Sequence, residues 1–260
     1  MLVSIPETNF QREFEDIALI DEGGFGIVYS AKWRGINVAV KKCKISLEGN
    51  TLKTIQKELD IISKMRYDRT LTLLHHCRDA DNIYLVTQFY KRQSLHHLLY
   101  AEKLPINKRT YYSLLQDVVA GLTYLHNYPS PILHLDLKPK NILIDGEIEL
   151  RAIIADFGLS EIRADHSRRS VGNAGFGGTY PYMSPERLME QKPTAKADIY
   201  SLGIIMWEMA HKEIPYSSAR PSPQDVVNGK ARPKWKPEFP SLLKEISEGC
   251  WSKDPANRPD

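Results

Sequence analysis

A glycine cluster and a lysine in the first part of the chain have the residue types needed to bind phosphate. The segment Asp21-Glu22-Gly23-Gly24-Phe25-Gly26 stands between two stretches typical of strands. Glycines at a hairpin tip let the backbone approach a ligand and turn N–H groups toward phosphate oxygens. Lys41 ends the run Val38-Ala39-Val40-Lys41 on the next strand, where its ammonium group can neutralise such oxygens. A glycine-rich turn without a ligand and a surface lysine are the simpler interpretations.

A second polar cluster lies in the other half of the chain. It consists of His134-Leu135-Asp136-Leu137-Lys138-Pro139-Lys140-Asn141, followed by Asp156-Phe157-Gly158.

The elements that must position these residues differ between the two halves. In the first half, the apolar pattern predicts strands over 14–20, 27–33, 38–40, 71–77 and 83–89, and a helix over 51–65. The helix is indicated by Ile55, Leu59 and Ile62, which recur at helical spacing between Lys and Glu residues. This half is therefore predicted to be strand-rich.

The second half is predicted to be mainly helical, beginning near residues 90–93. Amphipathic spacing favours a helix over 108–127, and an almost wholly apolar pattern favours a core helix over 197–211. Between them, roughly 128–190 is expected to be irregular, with short apolar runs at 142–144 and 152–154. Irregular segments of that length inside a compact domain are usually functional.

The order of these motifs resembles the protein kinase superfamily. The glycine loop, Lys41, Glu58, the HxDxKxxN and DFG segments and Ser184-Pro185-Glu186 follow one another as in that family, from about residue 14 to the end. The resemblance implies one catalytic domain over 1–260 with a bilobed α+β fold. Its small N-lobe, about 14–90, is expected to hold an antiparallel sheet and one helix. Its larger, mainly helical C-lobe, about 91–260, is expected to have a truncated last helix.

By the same resemblance, four residues of the second half serve the transfer of a phosphoryl group from ATP to a protein hydroxyl. Asp136 is expected to accept the hydroxyl proton, and Lys138 to balance charge on the γ-phosphate. Asn141 and Asp156 are expected to bind Mg²⁺. The presence of all the core catalytic residues weighs against a fold that has lost activity.

The resemblance also assigns residues to the nucleotide. Lys41 is expected to contact the α- and β-phosphates and to be oriented by an ion pair with Glu58. Thr87 is the expected gatekeeper. The full set assigned to ATP comprises Glu22, Gly23, Gly24, Phe25, Gly26, Val28, Ala39, Lys41, Thr87, Gln88, Phe89, Tyr90 and Leu143. Two further expectations are structural, since Asp198 is expected to anchor the catalytic loop and Glu186 to pair with Arg258.

Smaller signals indicate the subgroup. Lys138 and Gly178-Thr179 are similar to serine/threonine kinases, and Cys250-Trp251-Ser252-Lys253-Asp254-Pro255 is similar to the tyrosine-kinase-like group. The segment before Asp136 and the approach to Thr179 look most like the receptor-interacting protein kinases. Mixed-lineage and amoebal kinases are alternatives, and a tyrosine or dual-specificity acceptor stays open.

Two residues depart from the family pattern. Asp21 stands where the loop usually has its first glycine, and Leu135 stands where many kinases have arginine before the catalytic aspartate. That arginine pairs with a phosphorylated activation-loop residue, and leucine forms no charge-assisted bond. We therefore hypothesise that activity does not require activation-loop phosphorylation. A nucleotide-binding scaffold that acts through protein partners is the alternative function.

Composition and charge exclude several other classes. With 42% apolar and 26% charged residues in 260, the chain is neither disordered nor collagen-like. A net charge of +3 without a basic tract argues against a nucleic acid partner. Cys43, Cys77 and Cys250 have neither disulfide nor zinc-finger spacing. No targeting or membrane-spanning segment is recognisable, so we expect a cytoplasmic protein without membrane insertion that acts on protein substrates and can form a homodimer.

Adjacent histidines occur at His75-His76 and at His96-His97. Neighbouring side chains on a strand point to opposite faces, and on a helix they lie about 100° apart. Neither pair is therefore expected to chelate a metal by itself, and Cys43 and Cys77 are expected to be small packing residues.

Overall fold

The structure is a computed structural model that describes residues 6, 9–23, 26–44, 51–102, 106–157, 180–217 and 221–260. These residues form two compact units, of which the first extends to Lys91 and the second begins at Arg92.

The first unit is built on an antiparallel sheet of five strands in the described part of the chain. The strands are β1 (Glu15–Gly23), β2 (Gly26–Trp33), β3 (Ile36–Lys44), β4 (Leu73–Arg78) and β5 (Asn82–Gln88). Their order across the sheet is β1-β2-β3-β5-β4. Among the residues that the structure describes, the helices α1 (Phe10–Glu13) and α2 (Thr51–Lys64) accompany them.

Side chains alternate along the strands, so the two faces of this sheet have different surroundings. Val38, Val40 and Val86 lie on one face, fully buried in a cluster that also holds Trp33 and Tyr84. The intervening residues of β3, including Lys41, point to the other face because side chains alternate along a strand.

The second unit is mainly helical. Its helices are α3 (Leu95–His97), which continues as a π-helical turn (Leu98–Glu102), α4 (Lys108–His126), α5 (Pro185–Leu188), α6 (Ala195–His211), α7 (Pro223–Val227) and α8 (Ser241–Cys250). Strands β6 (Ile142–Asp145) and β7 (Arg151–Ile154) form a two-stranded antiparallel sheet. Short 3₁₀ turns occur at Pro139–Asn141, Tyr180–Tyr182 and Pro255–Asn257.

Helix α6 forms the centre of the second unit. Most of its residues are buried, including the polar side chains of Asp198 and Glu208. Helix α4 begins at the Asn107 cap, whose side chain accepts a hydrogen bond from Thr110 N. Leu114, Val118 and Leu122 form the buried stripe of α4. Both long helices thus follow the apolar patterns that predicted them.

The structure confirms the expected α+β kinase architecture and corrects its details. The first three strands are longer than predicted, because β1 and β3 extend into the polar residues around their turns. The expected irregular stretch, roughly 128–190, contains β6 and β7, since its two apolar runs pair with each other from Ile142↔Ile154 to Asp145↔Arg151. Among the described residues, no helix is both long and apolar enough to span a membrane.

Candidate active site

One face of the first sheet carries four of the residues assigned to the nucleotide. Val28 lies opposite Lys41 across β2 and β3, and Ala39 lies opposite Thr87 across β3 and β5. Directly opposed residues of antiparallel strands share a face. The register therefore places Val28, Ala39, Lys41 and Thr87 together, each of them half-buried. A partly open face with small apolar side chains next to an ammonium group fits a base and its phosphates.

The glycine hairpin joins β1 to β2. Gly23 pairs with Gly26, and Gly26 has a φ of 131°, a conformation that L side chains rarely adopt. A Cβ at Gly26 would collide with the carbonyl oxygen of Lys42. Glu22 is exposed at the end of β1, whereas Gly24 and Phe25 lie outside the described residues. The backbone conformation at the tip of the hairpin thus requires glycine at position 26.

The remaining predicted residues of the first unit lie on α2 and at the end of β5. Glu58 is half-buried on α2, between the buried Ile55 and Leu59. Gln88 is the last residue of β5, and Phe89 and Tyr90 continue the chain without regular structure. In the second unit, Leu143 is half-buried on β6 and forms a bridge with Ser94.

In the second unit, Asp136 lies in a small network of hydrogen bonds. Its Oδ2 accepts hydrogen bonds from Lys138 Nζ at 2.9 Å and from Asn141 Nδ2 at 2.9 Å. Nδ2 of Asn141 also donates to the Asp136 carbonyl at 2.7 Å. Asp136 is 7% exposed, so this carboxylate is held in a nearly enclosed position. Three residues that sequence motifs had grouped therefore meet in space.

The loop that carries Asp136 is held by the buried Asp198 of α6. Its carboxylate accepts from His134 N at 2.9 Å and from Leu135 N at 2.7 Å. The predicted anchoring role is therefore confirmed. His126 Nε2 also donates to Asp198, at 2.8 Å, an interaction that the sequence did not indicate. Burial, the largest influence, opposes ionisation, but His126 and His134 outweigh it and lower the pKa of Asp198.

The imidazole of His134 connects the two catalytic segments. Its Nε2 donates to the Ala155 carbonyl at 2.8 Å, and its Nδ1 accepts from Asp136 N at 3.2 Å. These two contacts define the neutral Nε2–H tautomer. The fully buried ring therefore holds Asp136 and the residue before Asp156 in a fixed relation.

Leu135 has a strained backbone that is fixed from two sides. Its φ is 60°, which is uncommon for a non-glycine residue. Its N–H donates to Asp198, and its carbonyl accepts from Nη1 of Arg187 on α5. Strained conformations persist where the surroundings over-determine them, and they cluster at active sites. Arg187 is a site residue that the motif analysis missed, because the contact is entirely tertiary.

Asn141 and Asp156 lie at the same end of the β6–β7 ladder. Ala155 N donates to the Asn141 carbonyl at 2.9 Å, directly beyond the Ile142↔Ile154 pair. Asp156 has a φ of 59°, another strained residue at a predicted functional position. Since Nδ2 of Asn141 is engaged by Asp136, its amide oxygen is directed away from that bond. A carboxylate with an amide oxygen suits a hard divalent cation such as Mg²⁺.

The predicted pair of Glu186 and Arg258 is confirmed as a bidentate ion pair. Nη1 and Nη2 of Arg258 donate to Oε1 and Oε2 of Glu186 at 2.7 and 2.9 Å. Burial, the largest influence, raises the pKa of Glu186, but the Arg258 hydrogen bond leads the contributions that produce a net lowering. This pair fixes α5, which also carries Arg187, against the end of the second unit.

A further buried carboxylate, Glu208 on α6, accepts only neutral donors among its described contacts. Tyr100 Oη donates to Oε1 at 2.8 Å, and Tyr182 Oη donates to Oε2 at 2.6 Å. Burial raises the pKa of Glu208 to about 7, although the two tyrosines partly oppose this shift. The sequence showed only one more acid on an apolar helix, so this network was not predicted.

We expect Glu208 to make stability fall as pH rises from about 4.5 to about 7. In that window the folded protein binds more protons than the unfolded chain, so the free energy of unfolding decreases with pH. A shift of this size corresponds to at most roughly 3 kcal/mol. Urea unfolding at pH 5.5 and pH 8 should show that Glu208→Gln gains stability relative to wild type at the higher pH.

The exposed Glu245 on α8 provides the matched control, because Glu245→Gln removes a carboxylate without removing a buried charge. An equal response of Glu208→Gln and Glu245→Gln to pH would contradict the assignment of this effect to Glu208.

Several predicted features fall outside the described residues. They include Gly158 of the DFG segment, Thr179, Ser167, Ser170 and the glycine-rich stretch 172–178.

Comparisons with known proteins agree with this geometry. A model of the protein kinase domain matches residues 14–260. The chain is 33% identical to a probable serine/threonine-protein kinase of Dictyostelium discoideum, over 98% of this chain and 28% of that protein. It is 36% identical to the dual specificity protein kinase shkB of the same organism, over 97% of this chain and 38% of that protein.

The serine/threonine-protein kinase VIK of Arabidopsis thaliana is 32% identical, over 95% of this chain and 57% of that protein. The chain thus spans less than two thirds of the length of each of these relatives. With the family model covering nearly all of it, the chain belongs to the protein kinase family.

Proposed function

We propose that the protein transfers the γ-phosphate of ATP to serine and threonine hydroxyls of protein substrates in cytoplasmic signalling, with Mg²⁺ as the divalent ion. The observation that carries this proposal is the Asp136 carboxylate, held by Lys138 and Asn141 in a loop anchored on Asp198. A buried, oriented carboxylate beside an ammonium group is what proton acceptance during phosphoryl transfer requires.

In the proposed mechanism, Asp136 takes the proton of the substrate hydroxyl as that oxygen bonds to phosphorus. Asn141 and Lys138 both donate to Oδ2 of this carboxylate, and Lys138 also donates to Oδ1 at 3.2 Å. Lys138 adds a positive charge on the side where negative charge develops.

Other residues of the chain hold and orient the reactants. Asn141 and Asp156 would hold Mg²⁺, and Lys41 would contact the phosphates, with Glu58 orienting it. Val28 and Ala39 would contact the adenine base, and Gln88, Phe89 and Tyr90 would form hydrogen bonds to its edge. The family resemblance assigns Leu143 to the base as well. When bound, ATP would supply the phosphoryl group, and Mg²⁺ would neutralise negative charge on its oxygens.

The test is the transfer of labelled γ-phosphate from ATP to a generic basic protein, followed by phosphoamino-acid analysis. We expect label on serine and threonine, and none when Mg²⁺ is withheld. Label on tyrosine as well would show that the kinase has dual specificity and would overturn the proposed restriction to serine and threonine. Failure of transfer by protein that still binds ATP and Mg²⁺ would favour the scaffold function instead.

Within the family we infer the tyrosine-kinase-like group, and we propose the receptor-interacting protein kinases as the subgroup. This inference rests on the motifs at Ser130–Asp136, Gly177–Thr179 and Cys250–Pro255. The relatives described above come from an amoeba and a plant, so they support the wider assignment only.

We also propose that activity is independent of activation-loop phosphorylation. Leu135 lacks the guanidinium group that would bind a phosphate, and its backbone is already fixed by Asp198 and Arg187. Ser167→Ala and Ser170→Ala are therefore each expected to keep kcat within about twofold of wild type, since they remove no charge-assisted bond. Steady-state kinetics of each variant measures this, and a large loss from either would overturn the proposal.

Arg187 is expected to support catalysis by fixing the Leu135 carbonyl. Arg187→Met removes a hydrogen bond from a charged donor, which is worth about 1.5–3 kcal/mol, so we expect kcat to fall by about tenfold or more. The KM for ATP should change little, because Arg187 contacts the catalytic loop. Arg187→Lys keeps the charge and should recover part of kcat. Equal kcat in wild type and Arg187→Met would contradict this role.

A further inference from the structure

The first unit contains a cluster of potential metal ligands on the sheet face opposite to Lys41. Glu13 from α1 and His75 and Cys77 from β4 bring their ligand atoms within 4.8 Å of one another. Their separation along the chain shows that folding, and not local sequence, brings Glu13 to the other two. We propose that Glu13, His75 and Cys77 bind one zinc-like transition-metal ion at a site independent of the phosphoryl-transfer residues.

The strand register places His75 and Cys77 side by side. They are two residues apart on β4 and lie opposite Val86 and Tyr84 of β5. Side chains two apart on a strand point to the same face, so the imidazole and the thiol are neighbours. His76 lies between them and points to the other face. The expectation that His75-His76 does not chelate by itself is compatible with this site, because Glu13 and Cys77 supply the other ligands.

Helix α1 is held firmly enough to supply the third ligand. Phe10 stacks on Tyr84 with ring centroids 4.7 Å apart, and Phe14 directly after Glu13 is buried. Glu13 Oε1 lies 3.5 Å from His75 Nε2. Two atoms that are bound at about 2.0–2.3 Å to one tetrahedral ion lie about 3.3–3.8 Å from each other. The Glu13 and His75 atoms are already at this spacing, so they need to move little to bind the same ion.

Trp33 orients two of the three proposed ligands. Its Nε1 donates to Glu13 Oε1 at 3.1 Å, and its ring stacks on His75 with centroids 5.0 Å apart. Metal sites generally have such outer partners, which fix the ligands in the binding orientation. Two of the three ligands, Glu13 and His75, are therefore oriented before an ion binds.

The ligand chemistry identifies the class of ion. One thiolate, one imidazole and one carboxylate suit Zn²⁺ and related transition metals, whereas Mg²⁺ prefers oxygen ligands alone. Binding breaks the S–H bond of Cys77, forms a metal–sulfur bond and releases the proton to solvent. A divalent ion with one thiolate and one carboxylate is neutral overall, which suits the apolar surroundings of Cys77.

Three protein ligands would leave one position of a four-coordinate ion for water. The Cys77 side chain is fully buried, while about a quarter of the His75 and Glu13 side chains is exposed. An ion held by these three groups would thus face solvent on one side. Because α1 and β4 would share the ion, its binding should stabilise the packing of α1 on the sheet.

The test uses the whole 260-residue chain, freed of metal with a chelator and titrated with Co²⁺ as the spectroscopic probe. We expect one equivalent to bind with a thiolate-to-cobalt charge-transfer band, to be displaced by Zn²⁺ and to be unaffected by excess Mg²⁺. Zn²⁺ should also raise Tm, because an ion that binds only the folded state stabilises it.

Matched variants locate the ion. Cys77→Ala should abolish the thiolate band. His75→Gln and Glu13→Gln should each weaken affinity by more than the roughly 10–100-fold that is typical of losing an outer partner. Cys43→Ala and His76→Gln are the controls, because they remove a buried thiol and a histidine from the opposite face. His75→Gln and Glu13→Gln keep the test decisive if Cys77→Ala fails to fold.

Absence of the thiolate band in wild type, or its persistence in Cys77→Ala, would overturn the proposal. Equal affinity of His75→Gln and His76→Gln would do the same. The cluster would then serve only to hold α1 through the hydrogen bond from Trp33 to Glu13. Each readout is independent of phosphoryl transfer, so the proposed function and this site are tested separately.

Discussion

Asp136→Asn is expected to lower kcat for phosphoryl transfer by about 10²–10⁴-fold, the range that a general base typically contributes. The amide has nearly the same shape as the carboxylate, so the loop should remain in place. It cannot accept the hydroxyl proton, however, and it replaces the charged partner of Lys138, now at 2.9 Å, with a neutral one. Steady-state transfer of labelled phosphate under saturating ATP measures the effect.

Nucleotide binding distinguishes loss of chemistry from loss of structure in this experiment. Asp136→Asn should still bind ATP and Mg²⁺, because Lys41, Asn141 and Asp156 are unchanged. The exposed Asp145 at the end of β6 offers a matched control, and Asp145→Asn should keep wild-type kcat. Activity of Asp136→Asn within tenfold of wild type would mean that Asp136 is not the proton acceptor.

Motif order predicted which residues of the second unit would meet, and the structure explains why that was possible. Asp136, Lys138 and Asn141 lie within one loop, so local chain geometry almost suffices to group them. Lys41 could be placed on a strand from the apolar alternation around it. The face of the sheet to which Lys41 points is determined by the register of β2, β3 and β5, in which Val28 and Leu85 lie opposite Lys41.

Contacts between distant segments left no comparable signal in the sequence. Arg187 and Leu135 are 52 residues apart along the chain, and neither residue type indicates that they form a hydrogen bond. The raised pKa of Glu208 comes from its burial, which hydrogen bonds from tyrosines of two other segments partly oppose. Glu13 meets His75 and Cys77 only because α1 packs on the sheet. The periodicity of apolar residues predicts helices and strands and which of their faces are buried. Contacts between residues that are far apart in the chain depend on how those helices and strands pack.

Arg258→Met is expected to lower the free energy of unfolding by about 3–5 kcal/mol, the cost of removing one partner from a buried ion pair. The Arg258 side chain is 0% exposed and that of Glu186 is 7% exposed. Without the guanidinium group, the Glu186 carboxylate keeps its desolvation cost and loses both hydrogen bonds. The double variant Arg258→Met with Glu186→Gln should recover part of the loss, because it removes the uncompensated charge.

Recovery in the double variant should be incomplete, since Arg258 also donates to the Lys196 carbonyl at 2.8 Å and the Ser252 carbonyl at 2.9 Å. The comparison pair is Lys236 and Glu213, whose 2.5 Å contact is as short but whose side chains are about half exposed. Lys236→Met should therefore lower the free energy of unfolding much less than Arg258→Met does, because exposed ion pairs contribute little to stability. Urea unfolding at pH 7 measures both losses, and equal losses would show that burial does not determine the strength of the Glu186–Arg258 pair. Because the pKa of Glu186 is lowered in the folded state, the difference between wild type and Arg258→Met should also shrink as pH falls below the ordinary carboxyl range.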